Sequence, residues 1–181
     1  MVYVLMAQGF EETEAIVPID ILRRGGVPVT LVGVTGGIVG STRGVYIKTD
    51  ISIDEVTPFK MQMLVLPGGQ PGVDNLWNNA SVRDLVEYAV KEGKKLAAIC
   101  AAPIIPGRLG LLDGKKAVCY PSCRDELAGA EVLPNTGVVT DGNITTARAA
   151  ADAFEFGFRL LKEIAGEQAV NKVKAAICYD R

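Results

Sequence analysis

The stretch KKLAAICAAP, Lys94 to Pro103, ends a strand-like apolar run on a thiol, Cys100, and follows it at once with small residues and a proline. In a parallel α/β sheet, sites form where strand passes to helix, so a cysteine at that junction is a candidate nucleophile. Small neighbours permit the sharp turn of a nucleophile elbow. A helix starting within a residue or two, with Pro103 in its first turn, would bring free N–H groups and a positive dipole end to the sulfur. On that reading Cys100 is expected to have a depressed pKa. The competing reading is a small buried hydrophobe, which free cysteine often is. The usual basic partner of a catalytic thiol is missing, because the chain contains no histidine.

A carboxyl group can fill that role. AQGFEETE places Glu11, Glu12 and Glu14 just past the first predicted strand. Two of them suit the surface as partners of the helix dipole, and their amide variants are expected to be nearly silent. The third, turned inward and desolvated, would keep its proton near neutrality, donate a hydrogen bond to a thiolate and shuttle a proton. The residues alone do not say which glutamate this is. LPGGQPG, Leu66 to Gly72, leaves another strand through Gly68 and Gly69, whose N–H groups could receive an oxyanion, although an ordinary turn also explains them. Neither this segment nor GVTGGIVG carries a phosphate-cradle pattern. Cys100, Cys119, Cys123 and Cys178 include one C-x-x-x-C pair and no C-x-x-C pair, so a metal is not expected.

Positioning these groups requires crossover-connected parallel strands, predicted at Tyr3 to Ala7, Val29 to Val34, Met63 to Leu66, Leu96 to Ile99 and Ala117 to Cys119. Their continuous apolar runs suit a sheet covered on both faces. EETEAIVPIDILRRGG reads as a helix with acids at its start, Arg23 and Arg24 at its end, Gly25 as the stop and a kink at Pro18. GGIVGSTRGVYIKTD reads as a β-ribbon, GVVTDGNITTA as a hairpin turning at Asp141-Gly142, and Arg148 to Glu163 as a long helix. No repeat or linker interrupts residues 1–181, so one α/β domain, a doubly wound sandwich with a mainly parallel central sheet, is expected.

A net charge of −2 with interspersed signs leaves no basic footprint for nucleic acid and no polybasic membrane patch. No apolar run reaches the roughly 18 residues of a membrane span, and no basic segment precedes the first apolar run. A cytoplasmic chain with reduced cysteines is expected.

AQGFEETEAIVPIDILRRGG, VLPGGQPGVDNL and AAICAAP, in this order and spacing, resemble the ThiJ/PfpI superfamily, in the branch of the parkinsonism-associated protein deglycase and its bacterial relatives, over nearly the whole chain. The resemblance implies a flavodoxin-like fold, a homodimer and no cofactor. It implies that Cys100 is the oxidation-prone cysteine of the elbow and that Glu14 is the glutamate bonded to its sulfur. It places Gly68, Gly69 and Ala101 around the same pocket, and Arg43, in STRGV, near it across the dimer. Where many relatives have a histidine before the proline of the next strand, VCYPS has Tyr120, so a Cys-His-Asp/Glu triad is excluded and a peptidase is not expected.

Two functions fit. One is a cofactor-free glyoxalase or deglycase acting on small α-oxoaldehydes or early glycation adducts through a Cys100 hemithioacetal, with Glu14 moving the proton. The other is an oxidative-stress sensor or redox-regulated chaperone working through oxidation of Cys100. Cys119, at the end of a strand expected beside Cys100, is the candidate resolving thiol.

Overall fold

The computed structural model describes residues 1–180. In chain order its strands are β1 (Val2–Met6), β2 (Val29–Gly33), β3 (Ile38–Gly40), β4 (Tyr46–Lys48), β5 (Ile51–Ser52), β6 (Met63–Leu66), β7 (Lys95–Ile99), β8 (Lys116–Ala117), β9 (Glu131–Val132), β10 (Val138–Asp141) and β11 (Ile144–Ala147). Its α-helices are α1 (Glu12–Arg24), α2 (Gly72–Asn78), α3 (Ala80–Lys91), α4 (Ile104–Arg108), α5 (Ala153–Ala165) and α6 (Glu167–Ala176).

Seven strands form one sheet in the order β10-β11-β7-β6-β1-β2-β5, parallel throughout except for β10. Its middle, β2-β1-β6-β7-β11, has the 2-1-3-4-5 order of the flavodoxin-like fold, whose sites lie beyond the carboxyl ends of the strands. Alternate residues of β1 enter two different cores. Tyr3 and Leu5 pack with α2, α3 and α4, whereas Val2, Val4 and Met6 pack with α1, α5 and α6. A strand buried on both faces has no polar side to show, hence its unbroken apolar sequence.

Helix α1 runs unbroken through Pro18, whose missing N–H leaves the Glu14 carbonyl without its helical donor. Glycines set the approach of α5. A Cβ on Gly157 would stand 2.7 Å from Ile21 Cδ1 and 3.1 Å from the Pro18 Cα, so only hydrogen fits there.

Three expectations need correction. The segment expected as a strand from Ala117 to Cys119 is not in the main sheet: Lys116–Ala117 pairs with Glu131–Val132 in a two-stranded sheet of its own. The helix expected from Arg148 begins at Ala153. The intervening chain forms a 3-10 turn, Ala150–Asp152, pinned by the Arg148 to Asp152 ion pair at 3.1 Å. The β10–β11 hairpin pairs Asp141 with Ile144, so its two-residue turn is Gly142-Asn143, one position later than expected. The β-ribbon falls where expected, as β3 against β4.

Candidate active site

Cys100 follows the last residue of β7 and takes φ +65°, the left-handed region, which costs a side-chain-bearing residue about 1–2 kcal/mol. Hydrogen bonds on both sides impose this shape. Cys100 N donates to Ala147 O at 2.9 Å, and Cys100 O accepts from Tyr120 N at 2.7 Å. The turn lifts the sulfur out of the strand, which is the geometry of a nucleophile elbow. The helix expected within a residue or two does not start there. Helix α4 begins at Ile104 and is five residues long, so the groups favouring a thiolate are individual N–H groups, those of Ala101 and Gly69.

Glu14 lies on the first turn of α1, and its position depends on Glu11. Glu11 Oε2 accepts from Glu14 N at 2.7 Å as the helix cap, and Glu11 N donates to Gly68 O at 2.9 Å. Of the three glutamates only Glu14 is buried, at 1% exposure. No donor meets hydrogen-bond geometry at its Oε2, but the Cys100 thiol and the N–H groups of Gly68 and Ala150 lie near enough to bias its charge. Gly68 makes this proximity possible, since a Cβ there would stand 2.2 Å from Glu14 Oε2 and 2.6 Å from Cys100 Cβ.

Burial pushes the Glu14 carboxyl up to about 7; the thiol and the two N–H groups oppose the rise, and the charge of Glu11 adds to it. Cys100 is also raised, by burial first and then by the Glu14 charge, against the pull of the Ala101 and Gly69 N–H groups. The expected depressed thiol pKa is therefore corrected, because desolvation outweighs the N–H groups. Two groups this close titrate as a pair, and the second charge is opposed by the first. Across neutrality the pair passes to a form with one proton, held between sulfur and carboxylate.

The sulfur faces a cavity of about 240 Å³ lined by Gly69, Gln70, Cys100, Ala101, Tyr120, Ser122 and Cys123. Tyr120, 46% exposed, stands at its mouth. Gly69 and Gln70 also line a neighbouring cavity of about 440 Å³, and exposed Arg43 of the same chain lines that one. Arg43 is held in place by Glu12: Oε1 accepts from Arg43 N and Ser41 Oγ, both at 2.6 Å, and Oε2 accepts from Thr42 Oγ1 at 3.0 Å. Glu11 and Glu12 are thus a helix cap and a turn anchor, neither of them turned toward the sulfur as Glu14 is. A larger groove between Ile53 and Tyr88 carries no thiol and lies away from the elbow.

Several site residues escaped the sequence reading. Ala150 acts through its backbone N–H, which no residue type announces. Cys123 was visible in the C-x-x-x-C spacing, but nothing in that spacing said that it, and not Cys119, faces the cavity. Cys119 is 2% exposed and sits in the core under α2, α3 and α4. Among the described residues no cluster of Cys, Asp or Glu is arranged to hold a metal ion. Among the described residues no helix is long and apolar enough to cross a membrane.

The DJ-1/PfpI family matches residues 1–163. Drosophila melanogaster protein dj-1beta is 37% identical over 172 residues, covering 94% of this chain and 92% of that protein. The Pyrococcus horikoshii deglycase PH1704 is 32% identical over 151 residues, covering 83% of this chain and 90% of that protein. The crystal structure of Drosophila melanogaster DJ-1beta superposes with a TM-score of 0.95 at 35% identity, covering 99% of this chain and 98% of that one.

Proposed function

Because this chain belongs to the DJ-1/PfpI family, we propose that it converts small α-oxoaldehydes, or the early adducts they form with amines, to hydroxyacids without a cofactor. The observation that carries this reading is the buried Glu14 carboxyl set against Cys100 through Gly68, with a small cavity in front of the sulfur. The deglycase name of a relative at 32% identity adds support.

The chemistry follows from the pair. Glu14 takes the thiol proton as Cys100 sulfur adds to the aldehyde carbon and passes it to the resulting oxyanion, giving a hemithioacetal and leaving Glu14 as carboxylate. The developing oxyanion is within reach of the elbow's N–H groups at Gly69 and Ala101. Glu14 then removes the proton on that carbon and returns it to the neighbouring one, while the hydroxyl proton passes to the ketone oxygen through the enediol, so the aldehyde carbon becomes a thioester and the ketone an alcohol. Water cleaves the thioester, releasing the hydroxyacid and restoring the thiol. Methylglyoxal plus water gives lactate, with no net oxidation and no external electron carrier. Tyr120 at the mouth and the small volume favour a short substrate. The cavity beside Arg43 has room for the amine part of an adduct.

Proton NMR of the products formed from methylglyoxal tests the reading. Wild type should yield lactate, Cys100→Ser none, and Glu14→Gln should be slower by about 100-fold or more, the usual worth of general acid–base help. Lactate formation by Cys100→Ser at the wild-type rate would refute it. The same reading includes assembly of two copies of the chain, supported by Ile38 and Tyr46, which are apolar and exposed on the β3–β4 ribbon.

A further inference from the structure

The cavity in front of the elbow holds two thiols. Cys123 lines it together with Cys100, and both are half-buried, reachable by a small solute and shielded from bulk water. The backbone explains their meeting. Tyr120 N donates to Cys100 O at 2.7 Å, and Cys123 N donates to Tyr120 O at 2.8 Å. One turn of the 3-10 segment Pro121–Glu126 therefore carries Cys123 from the neighbour of the elbow back over the cavity. The far end of that segment is tied to α4, since Arg108 Nε donates to Glu126 Oε2 at 3.0 Å. Aldehyde turnover as described makes no use of this second thiol.

We propose that Cys123 is the resolving partner of Cys100, and that the pair reduces hydroperoxides through an intrachain disulfide. The proposal rests on the nucleophilic Cys100 of the reading above and adds a second residue and a second chemistry to it. Glu14 takes the Cys100 thiol proton as the sulfur attacks the outer oxygen of the hydroperoxide. The S–O bond forms, the O–O bond breaks, and the departing alkoxide or hydroxide takes the proton held by Glu14. Cys100 is now a sulfenic acid, oxidised by two electrons. Cys123 sulfur attacks it, the S–S bond forms, and the hydroxyl leaves as water with the Cys123 proton. An external dithiol reduces the disulfide by exchange, supplying the two electrons and restoring both thiols.

The other cysteines are poorly placed. Cys119 is packed in the core, where burial and then the nearby Cys123 charge push its thiol up to about 12, so it is near Cys123 but does not line the cavity, and Cys178 lies beyond α6, outside this cavity. At Cys123 burial also raises the thiol; the Ser122 hydroxyl opposes the rise, the Glu126 charge adds to it and the Arg108 charge opposes it. The presence of a resolving thiol changes the fate of the sulfenic acid: capture by Cys123 competes with further oxidation to the sulfinic acid.

The test treats the protein with one equivalent of hydrogen peroxide, blocks remaining thiols and maps peptides without reduction. Expected is a Cys100–Cys123 linked peptide, lighter by two hydrogens and reversed by dithiothreitol, together with steady peroxide consumption when dithiothreitol is present. Cys123→Ser, a near-isosteric change, should lose both the linked peptide and the steady consumption, and should leave a Cys100 sulfenic acid that dimedone traps. A wild-type product that is Cys100 sulfinic acid without a link, or a link from Cys100 to Cys119, overturns the proposal while leaving a reactive Cys100 intact. If Cys100 is neither oxidised by peroxide nor alkylated by iodoacetamide, this proposal and the aldehyde reading fall together.

Discussion

Glu14 carries a cost that can be measured without any substrate. Its folded-state pKa, about 7, lies above the ordinary value of 4.5, so the folded chain binds this proton more tightly than the unfolded chain does. The stabilisation from the bound proton is present in full below pH 4.5 and is lost as pH rises to about 7. The loss is roughly 3 kcal/mol. Urea unfolding of wild type should therefore show stability falling over that window, and Glu14→Gln, which cannot ionise, should lack the slope and be the more stable protein at pH 8. A parallel slope in both proteins would mean that another group is responsible. The proposed aldehyde turnover should rise through the same pH, as the pair reaches its singly protonated form. A thiol at a strand end and acids at a helix start are visible as letters, but the choice of Glu14 among the three glutamates rests on the family resemblance, and the burial that singles it out is a property of the fold. The order in which thiol and carboxyl ionise could not be read. That order depends on how deeply each is buried, and burial outweighed the helix dipole that the spacing after Cys100 had suggested.

The elements that carry these residues are held at close quarters, and α1 against α5 is the clearest case. Gly157→Ala would put a methyl group 2.7 Å from Ile21 Cδ1 and 3.1 Å from the Pro18 Cα. Overpacking of this kind costs about 1–3 kcal/mol, which for a chain of this length lowers Tm by roughly 2–10 °C. Calorimetry checks it, and an unchanged or raised Tm would show that α5 yields freely. The central strands were legible to within a residue or so because burial on both faces makes them uniformly apolar. The start of α5 was not. Arg148 to Asp152 has the composition of a helix, yet a 3-10 turn lies there and brings the Ala150 N–H to Glu14, a tertiary demand that local propensity does not encode. Lys116–Ala117 was misassigned for a similar reason. A short apolar run does not say which sheet receives it, and here its partner, Glu131–Val132, is itself only two residues long.

For the whole molecule, the parallel order of the central strands was readable from alternating strand and helix signals, and so was the antiparallel β10–β11 hairpin from GVVTDGNITTA, whereas the other edge was not, because β5 is only two residues long. The surface leaves Ile38 at 67%, Tyr46 at 72% and Val45 at 44% exposure on the β3–β4 ribbon and the loop leading into β4. Apolar side chains gathered in this way mark an interaction surface, and the proposed homodimer would cover them. Sedimentation velocity should give a dimer for wild type and a monomer for the Ile38→Glu, Tyr46→Glu double variant; a monomeric wild type would remove the assembly from the reading.

The elbow is joined on one side to Ala147 of β11 and on the other to Tyr120, while Glu14 comes from α1 and Gly68 from the end of β6. Its side chain packs against one core, and the next residue, Ala101, belongs to the other. A site assembled from so many distant stretches of chain has no local hinge by which it could be dismantled piecemeal. Its chemistry is therefore a gauge of native integrity: heating should extinguish the thiol's special reactivity and melt the sheet in one step, and a fragment or permuted chain missing a single crossover would keep a cysteine at this position but nothing that distinguishes it from any other.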